Sequence, residues 1–268
     1  MTRRLQQLVT TGLLAMFLVG CASPRHRAAQ TIEALLPADV ILLGEQHDAD
    51  AHRGIQRGFV EILSDRAQLA ALALEMADRG RSTAGLARDA DAQQVRDALR
   101  WNDSGWPWSR YAPVIMAAVS RGIVVLGANL PGAAVRSSMS DTRYDQHLSG
   151  PALERQRDAI RIGHCDLLPQ DRLMPMLRVQ LARDASMAGA VTDALIRGKT
   201  VLLIAGGGHV LRDVGVPTHF PAVLRVRSVL AVAGTARDGA SEQADWIWET
   251  APLAPRDHCA ELRRQFKR

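Results

Sequence analysis

Two short turns carry the residue types best suited to chemistry, Gly44-Glu45-Gln46-His47 and Gly206-Gly207-Gly208-His209. Each follows an apolar run, Val40-Ile41-Leu42-Leu43 and Val201-Leu202-Leu203-Ile204-Ala205. Both read as a buried parallel strand ending in a Gly-x-x-His turn. Ligands of open α/β sheets bind outside the carboxyl ends of such strands, so the pair can aim two imidazoles into one crevice. Two further predicted strands end on polar groups, Leu69 to Leu74 on Glu75 and Ile123 to Leu126 on Gly127-Ala128-Asn129. Imidazoles and carboxylates are the usual ligands of divalent metals. His47, Glu75 and His209 are therefore a candidate metal set, with Glu45 as general base on a bound water. Arg183 is placed to stabilise developing negative charge, with Asp184 orienting it. Read singly, Glu75 fits a cap or salt bridge, His47 a turn residue and Arg183 an ordinary helix ion pair.

Gly206, Gly207 and Gly208 let backbone approach a ligand closely, and a glycine turn opening a helix suits an anionic group. No Gly-Lys-Ser/Thr follows, so the turn is not a P-loop.

The elements that must hold these turns follow from periodicity. A helix from about Asp50 to Ser64 places Ile55, Phe59, Ile62 and Leu63 on one face. Further helices are predicted from Ala92 to Arg100, from Tyr111 to Arg121, and through much of 131–197. Residues 222–233 and 245–248 read as two more strands, antiparallel at an edge. Strands alternating with helices give an α/β fold, a mostly parallel sheet with helices on both faces. The helical stretch 131–197 is expected to form a cap-like insertion over the crevice.

The first 20 residues read as an address: Arg3 and Arg4, a short apolar core from Thr11 to Val19, then Leu18-Val19-Gly20-Cys21. This order resembles the lipobox of bacterial lipoproteins, in which Cys21 would be lipidated. The apolar core is short of the roughly 20 residues that span a bilayer. Ala22 after the Cys favours the outer membrane. Residues 21–30 are expected to be lipidated Cys and tether, and 31–268 a single domain. The two remaining cysteines, Cys165 and Cys259, are most simply a disulfide in an oxidising envelope. A Cys/His metal site is the rival, since His164 and His258 precede them. The net charge of +5 is spread along the chain without an aromatic-interleaved basic stripe, which argues against nucleic acid as a partner. His219 is a candidate cleft-lining residue, whereas His147, His164 and His258 read as surface residues.

Several segments together resemble the ChaN family: Gly44-Glu45-Gln46-His47-Asp48 with His52, Ala73-Leu74-Glu75-Met76, Gly105-Trp106-Pro107-Trp108-Ser109-Arg110-Tyr111, Ala128-Asn129-Leu130-Pro131, Arg183-Asp184-Ala185-Ser186-Met187-Ala188, and Gly206 to Pro217. They span almost all the chain after Cys21. The resemblance implies an envelope lipoprotein linked to haem and iron uptake, within a superfamily that includes Tiki/TraB-type and erythromycin esterase-like proteins. It implies haem as cofactor, an apolar cleft, an axial ligand and arginines for the propionates. Tyr111, flanked by Trp106 and Trp108, is then the candidate axial ligand, with His209, Gly207 and Gly208 also at the cofactor. A homodimer around the haem is expected. The alternative from the superfamily is a metal-dependent hydrolase. Two departures stand out: Arg53 follows His52 where relatives carry a second His, and Gly207 replaces an Asn in the last turn.

Overall fold

The computed structural model describes residues 24–266, so the address and Cys21 lie outside the described residues. Strands β1 (Val40–Glu45), β2 (Leu69–Asp78), β3 (Val125–Asn129), β4 (Thr200–Gly206), β5 (Val226–Ala233) and β6 (Trp246–Thr250) form one sheet in the order β3-β2-β4-β1-β5-β6. Every pairing between them is parallel. The two motif strands are therefore central neighbours, with Glu45 opposite Gly206.

Period-two alternation sends the side chains of each strand to two buried faces. Ile41, Leu43, Leu72, Leu74, Leu202 and Ile204 meet Ile32, Phe59, Leu63 and Ile115. These come from α1 (Pro24–Leu35), α2 (Ala51–Asp65) and α4 (Trp108–Val119), and Val95 and Leu99 of α3 (Ala92–Leu99) belong to the same cluster. Val40, Leu42, Ala73, Val201, Leu203 and Ala205 meet Met187, Ala188 and Val191 of α7 (Gln170–Asp193) on the other side. Burial on both faces is why these strands read as unbroken apolar runs. Each fully buried Leu or Ile stabilises by about 1.5–3 kcal/mol.

Two expectations are corrected. Residues 222–233 and 245–248 are not an antiparallel edge, because β5 and β6 run parallel with Val229 opposite Trp246. The segment between them, including the short α8 (Ala240–Gln243), is long enough to carry the chain back for a parallel crossover. Residues 24–30 are not a tether either. They open α1, whose Ala28 and Ile32 are fully buried. Ala28 packs so closely on α2 that a Cβ at Gly58 would lie 3.1 Å from its own.

The segment 131–197 divides in two. Its C-terminal part, the second half of α7, belongs to the sheet layer. In the rest, α5 (Gly132–Met139) packs on α7, while Leu148, α6 (Gly150–Gly163) and the first half of α7 make a smaller cluster of Leu148, Ile160, Leu173, Leu177 and Leu181, joined by Val214 from the loop after β4. This is the cap-like insertion, and α6 lies over the carboxyl end of the sheet. The Cys165–Cys259 disulfide joins the residue following α6's C-cap to α9 (His258–Phe266). Among the described residues no helix is long and apolar enough to cross a membrane.

Candidate functional site

Two buried polar networks meet at the carboxyl ends of β1, β2 and β4. The first centres on Glu45, the last residue of β1, which is 3 % exposed. It accepts from Arg53 and Gln56 of α2, from the Tyr111 hydroxyl at 2.9 Å, and from His47 Nδ1 at 2.8 Å. Arg53 also donates to the His47 carbonyl at 2.8 Å and lies 4.3 Å over the Tyr111 ring. His47 then packs edge-on against Trp106, ring centres 4.8 Å apart.

The second network centres on Glu75. The pairing of β2 with β3 becomes irregular between Leu74 and Asp78, a common device for aiming a side chain at a site. Glu75 Oε2 accepts the Gly206 N–H at 2.6 Å, and Oε1 lies 3.5 Å from His209 Nε2. His209 Nδ1 is 2.6 Å from Asp184 of α7. Burial disfavours the charged form of His209, but Asp184 and Glu75 outweigh it and raise its pKa to about 10. Burial likewise opposes the Glu75 carboxylate, yet His209, His47 and the Gly206 N–H bring its pKa down to about 2. Asp184, where burial dominates, rises to about 6.

The structure brings His47, Glu75 and His209 together at one rim, with His47 Nε2 4.0 Å from Glu75 Oε2 and His209 Nε2 3.5 Å from Glu75 Oε1. Among the described residues no group of three or more His, Cys, Asp or Glu side chains is arranged to hold a metal ion. The role expected of Asp184 is corrected: it orients His209, while Arg183 reaches Asn129 Oδ1 at 3.3 Å.

Above the networks the cleft has two joined hollows that share Glu45, Gln46, Gly207 and Gly208. The polar one, about 360 Å³, lies between α6 and the Gly206–His209 turn and is also lined by His47 and His164. The other, about 610 Å³, has Leu211, Leu230 and Val232 as apolar lining and Arg155, Arg237, Asp238 and Glu242 as charged lining. Both fall in the range of small-molecule and cofactor sites.

The family described as "Haem-binding uptake, Tiki superfamily, ChaN" matches residues 31–220. The chain belongs to this family. A solved structure, "Cofacial heme binding to ChaN of Campylobacter jejuni", is 25 % identical with a TM-score of 0.65, covering 82 % of this chain and 90 % of that one. The type III effector HopBA1 is 13 % identical with a TM-score of 0.51, covering 87 % and 95 %, and shares the fold alone. No curated protein matches the sequence.

For a ChaN-family chain, Tyr111 was the expected haem ligand, and its position corrects that reading. The side chain is 1 % exposed, and its hydroxyl donates to Glu45. Burial and the Glu45 charge raise its pKa far above the ordinary phenol value, so the phenolate that iron prefers is disfavoured. The helical turn from Trp108 points Tyr111 inward to complete the Glu45 network. Trp106 lies against His47, and Trp108 packs on Trp101 with ring centres 5.2 Å apart. Neither lines either hollow, whereas Gly207 and Gly208 line both.

Sequence reasoning missed three residues. Arg53, noted as a lost histidine, is the buried cation that holds Glu45. Gln56 lies one turn further on the same face of α2. His164, read as a surface residue, lines the polar hollow. The spacing of Gln156, Ala159, Ile160 and Gly163 marks one face of α6 and carried the signal.

Proposed function

We propose that this chain binds haem in the double hollow at the carboxyl ends of β1, β4 and β5, and serves haem or iron acquisition. The observation that carries the reading is the larger hollow, which apolar Leu211, Leu230 and Val232 line together with Arg155 and Arg237. A porphyrin needs such an apolar bed with cations for its propionates. Arg237 has no ion-pair partner among the described residues, while Arg155 is paired with Asp213. Bound haem would supply an iron centre for transport, and the residues here hold and shield it. Family membership supports the same ligand.

Titration of the full chain in detergent with haemin, followed at the Soret band, tests this. A saturable shifted band weakened at least tenfold in Arg237→Glu is expected. Absence of any saturable band in wild type removes the reading.

A metal-dependent hydrolase at the His47, Glu75 and His209 rim is the competing function. Among the described residues no group of three or more His, Cys, Asp or Glu side chains is arranged to hold its metal ion.

The same proposal places the protein at the outer membrane through lipidated Cys21. The lipobox-like Leu18-Val19-Gly20-Cys21 and the disulfide, which belongs in an oxidising compartment, support this. Metabolic labelling with palmitate should mark wild type and not Cys21→Ala. An open cleft leaves part of a bound porphyrin uncovered, and a second copy of the chain is the proposed cover. The Campylobacter jejuni relative, with its cofacial haem, is consistent with this. Sedimentation should then show a dimer on adding haemin and a monomer without it.

A further inference from the structure

Cys21, the residue proposed to carry lipid, stands only three residues before Pro24, which opens α1. Three residues reach at most about 11 Å, whereas a domain of this size has a radius of gyration of about 18 Å. An anchor so short cannot let the domain turn freely. It brings to the bilayer the surface around the start of α1, the outer side of α1 and of its neighbour α2.

That surface carries more positive charge than its own acids neutralise. Arg25 pairs with Asp65, Arg57 with Glu61 and Arg66 with Glu33. Arg121, which follows α4, shares Glu61 and Asp65 with them. Arg27, in the first turn of α1, lies 4.8 Å over the Trp248 ring and has no carboxylate partner among the described residues. Five arginines thus face three carboxylates, a surplus of two. The pairs are open to water, with Arg25 61 % and Arg57 54 % exposed, so they are weak and can yield their arginines to phosphate. Arginine suits that ligand because its planar fork bonds two phosphate oxygens at once. Between the two helices runs a groove of about 460 Å³, lined by Arg25, His26, Ala29, Ile62, Asp65 and Arg66. It offers a headgroup two arginines beside the apolar Ala29 and Ile62.

We propose that the outer face of α1 and α2 docks on anionic phospholipid headgroups and fixes the orientation of the anchored domain. The proposal rests on the lipidation of Cys21 argued above and goes beyond it, since acyl chains attach a domain without orienting it. Orientation has a consequence for the cleft. Arg27 lines one hollow with Arg237, Asp238 and Glu249, and residues 237–240 also line the larger hollow. Docking therefore sets a rim of the cleft close to the bilayer.

The test footprints arginines in the full lipidated chain, reconstituted in phosphatidylcholine vesicles with or without phosphatidylglycerol. Phenylglyoxal labels exposed guanidinium groups, and mass spectrometry reads each site. With phosphatidylglycerol present, Arg25, Arg27 and Arg57 should react about fivefold more slowly, the strength of one arginine near an anionic surface. Arg136 and Arg197, exposed on the α5 and α7 side of the sheet, should react equally in both vesicles. High salt should abolish the protection. Arg27→Glu/Arg57→Glu should lose the protection at Arg25 while still floating with the vesicles, and circular dichroism reports its fold. Should that variant fail to fold, the salt dependence of wild type decides alone. Equal reactivity of Arg25, Arg27 and Arg57 in both vesicles, the same protection at Arg197, or protection that high salt leaves intact overturns the docking and leaves anchoring standing. A wild type that takes no palmitate and does not float ends anchoring and docking together.

Discussion

Arg53 and Glu45 form an ion pair beneath the cleft in which both side chains are almost fully buried, at 8 % and 0 % exposure. Burying two charges is repaid only when their remaining groups are satisfied. Here Gln56, Tyr111 and His47 complete the shell of Glu45. Removing one partner leaves an uncompensated charge. Arg53→Ala should therefore destabilise by about 3–5 kcal/mol, measured by urea unfolding. Tyr111→Phe, which loses one bond to a charged group, should cost about 1.5–3 kcal/mol. If Arg53→Ala costs no more than a surface substitution, the pair does not hold the base of the cleft.

The contrast between Arg53 and His47 shows how far the sequence could be read. Apolar runs ending in Gly-x-x-His were enough to mark β1 and β4 as buried parallel strands, because period-two burial on two faces leaves that mark. They were also enough to bring His47, Glu75 and His209 to one rim. What each does there depends on partners far away in the chain. Arg53 looked like the absence of a histidine, and only tertiary packing shows its guanidinium against Glu45. Asp184 looked like a companion of Arg183, its neighbour in sequence. On a helix adjacent residues face different ways, so Asp184 reaches His209 while Arg183 reaches Asn129. Tyr111 was misread for the same reason, since an aromatic after two tryptophans says nothing of which way the helix turns it.

His209 supplies a pH test. Its pKa, raised to about 10 by Asp184 and Glu75 against the cost of burial, is above the ordinary histidine value. Its contribution to stability is then fully present below about pH 6.5 and lost as pH rises toward 10. Asp184→Asn removes one carboxylate, so the His209 resonance in an NMR titration should move its midpoint down by at least one pH unit. The alkaline decline in melting temperature should shift to lower pH with it. An unchanged midpoint would show that Asp184 does not govern the charge of His209.

The disulfide makes a separate prediction. Cys165 and Cys259 are 94 residues apart in sequence, so their bond removes much freedom from the unfolded chain. The double variant Cys165→Ser/Cys259→Ser should be less stable by about 2–4 kcal/mol. The loss should be local as well as global. Hydrogen exchange should quicken first in α9 and at the end of α6, while the amides of β1 and β4 stay protected. Equal acceleration in the central strands would mean that the bond supports the whole sheet and not the segment around His164.

A last pH dependence comes from His147 and His219, whose rings stack 3.9 Å apart at an interplanar angle of 8°. His147 Nε2 meets Thr218 Oγ1 at 2.8 Å, while the buried His219 Nε2 has no hydrogen-bond partner. Burial, then the neighbouring imidazole, holds the pKa of His219 down to about 4, and burial lowers that of His147. The unfolded chain therefore binds protons that the folded one refuses between about pH 6.5 and 4. Stability should be fully present above that window and fall through it as the medium is acidified. The pair joins the turn Val216–His219 to the residue after Thr142–Gln146, so acid should loosen the cap before the sheet. His219→Phe keeps a flat ring without the charge. Its melting temperature should vary less than that of wild type from pH 6.5 to 4 while matching it or exceeding it at pH 7. If both proteins lose stability equally across the window, the acid sensitivity belongs to other groups and the stacked pair is only packing.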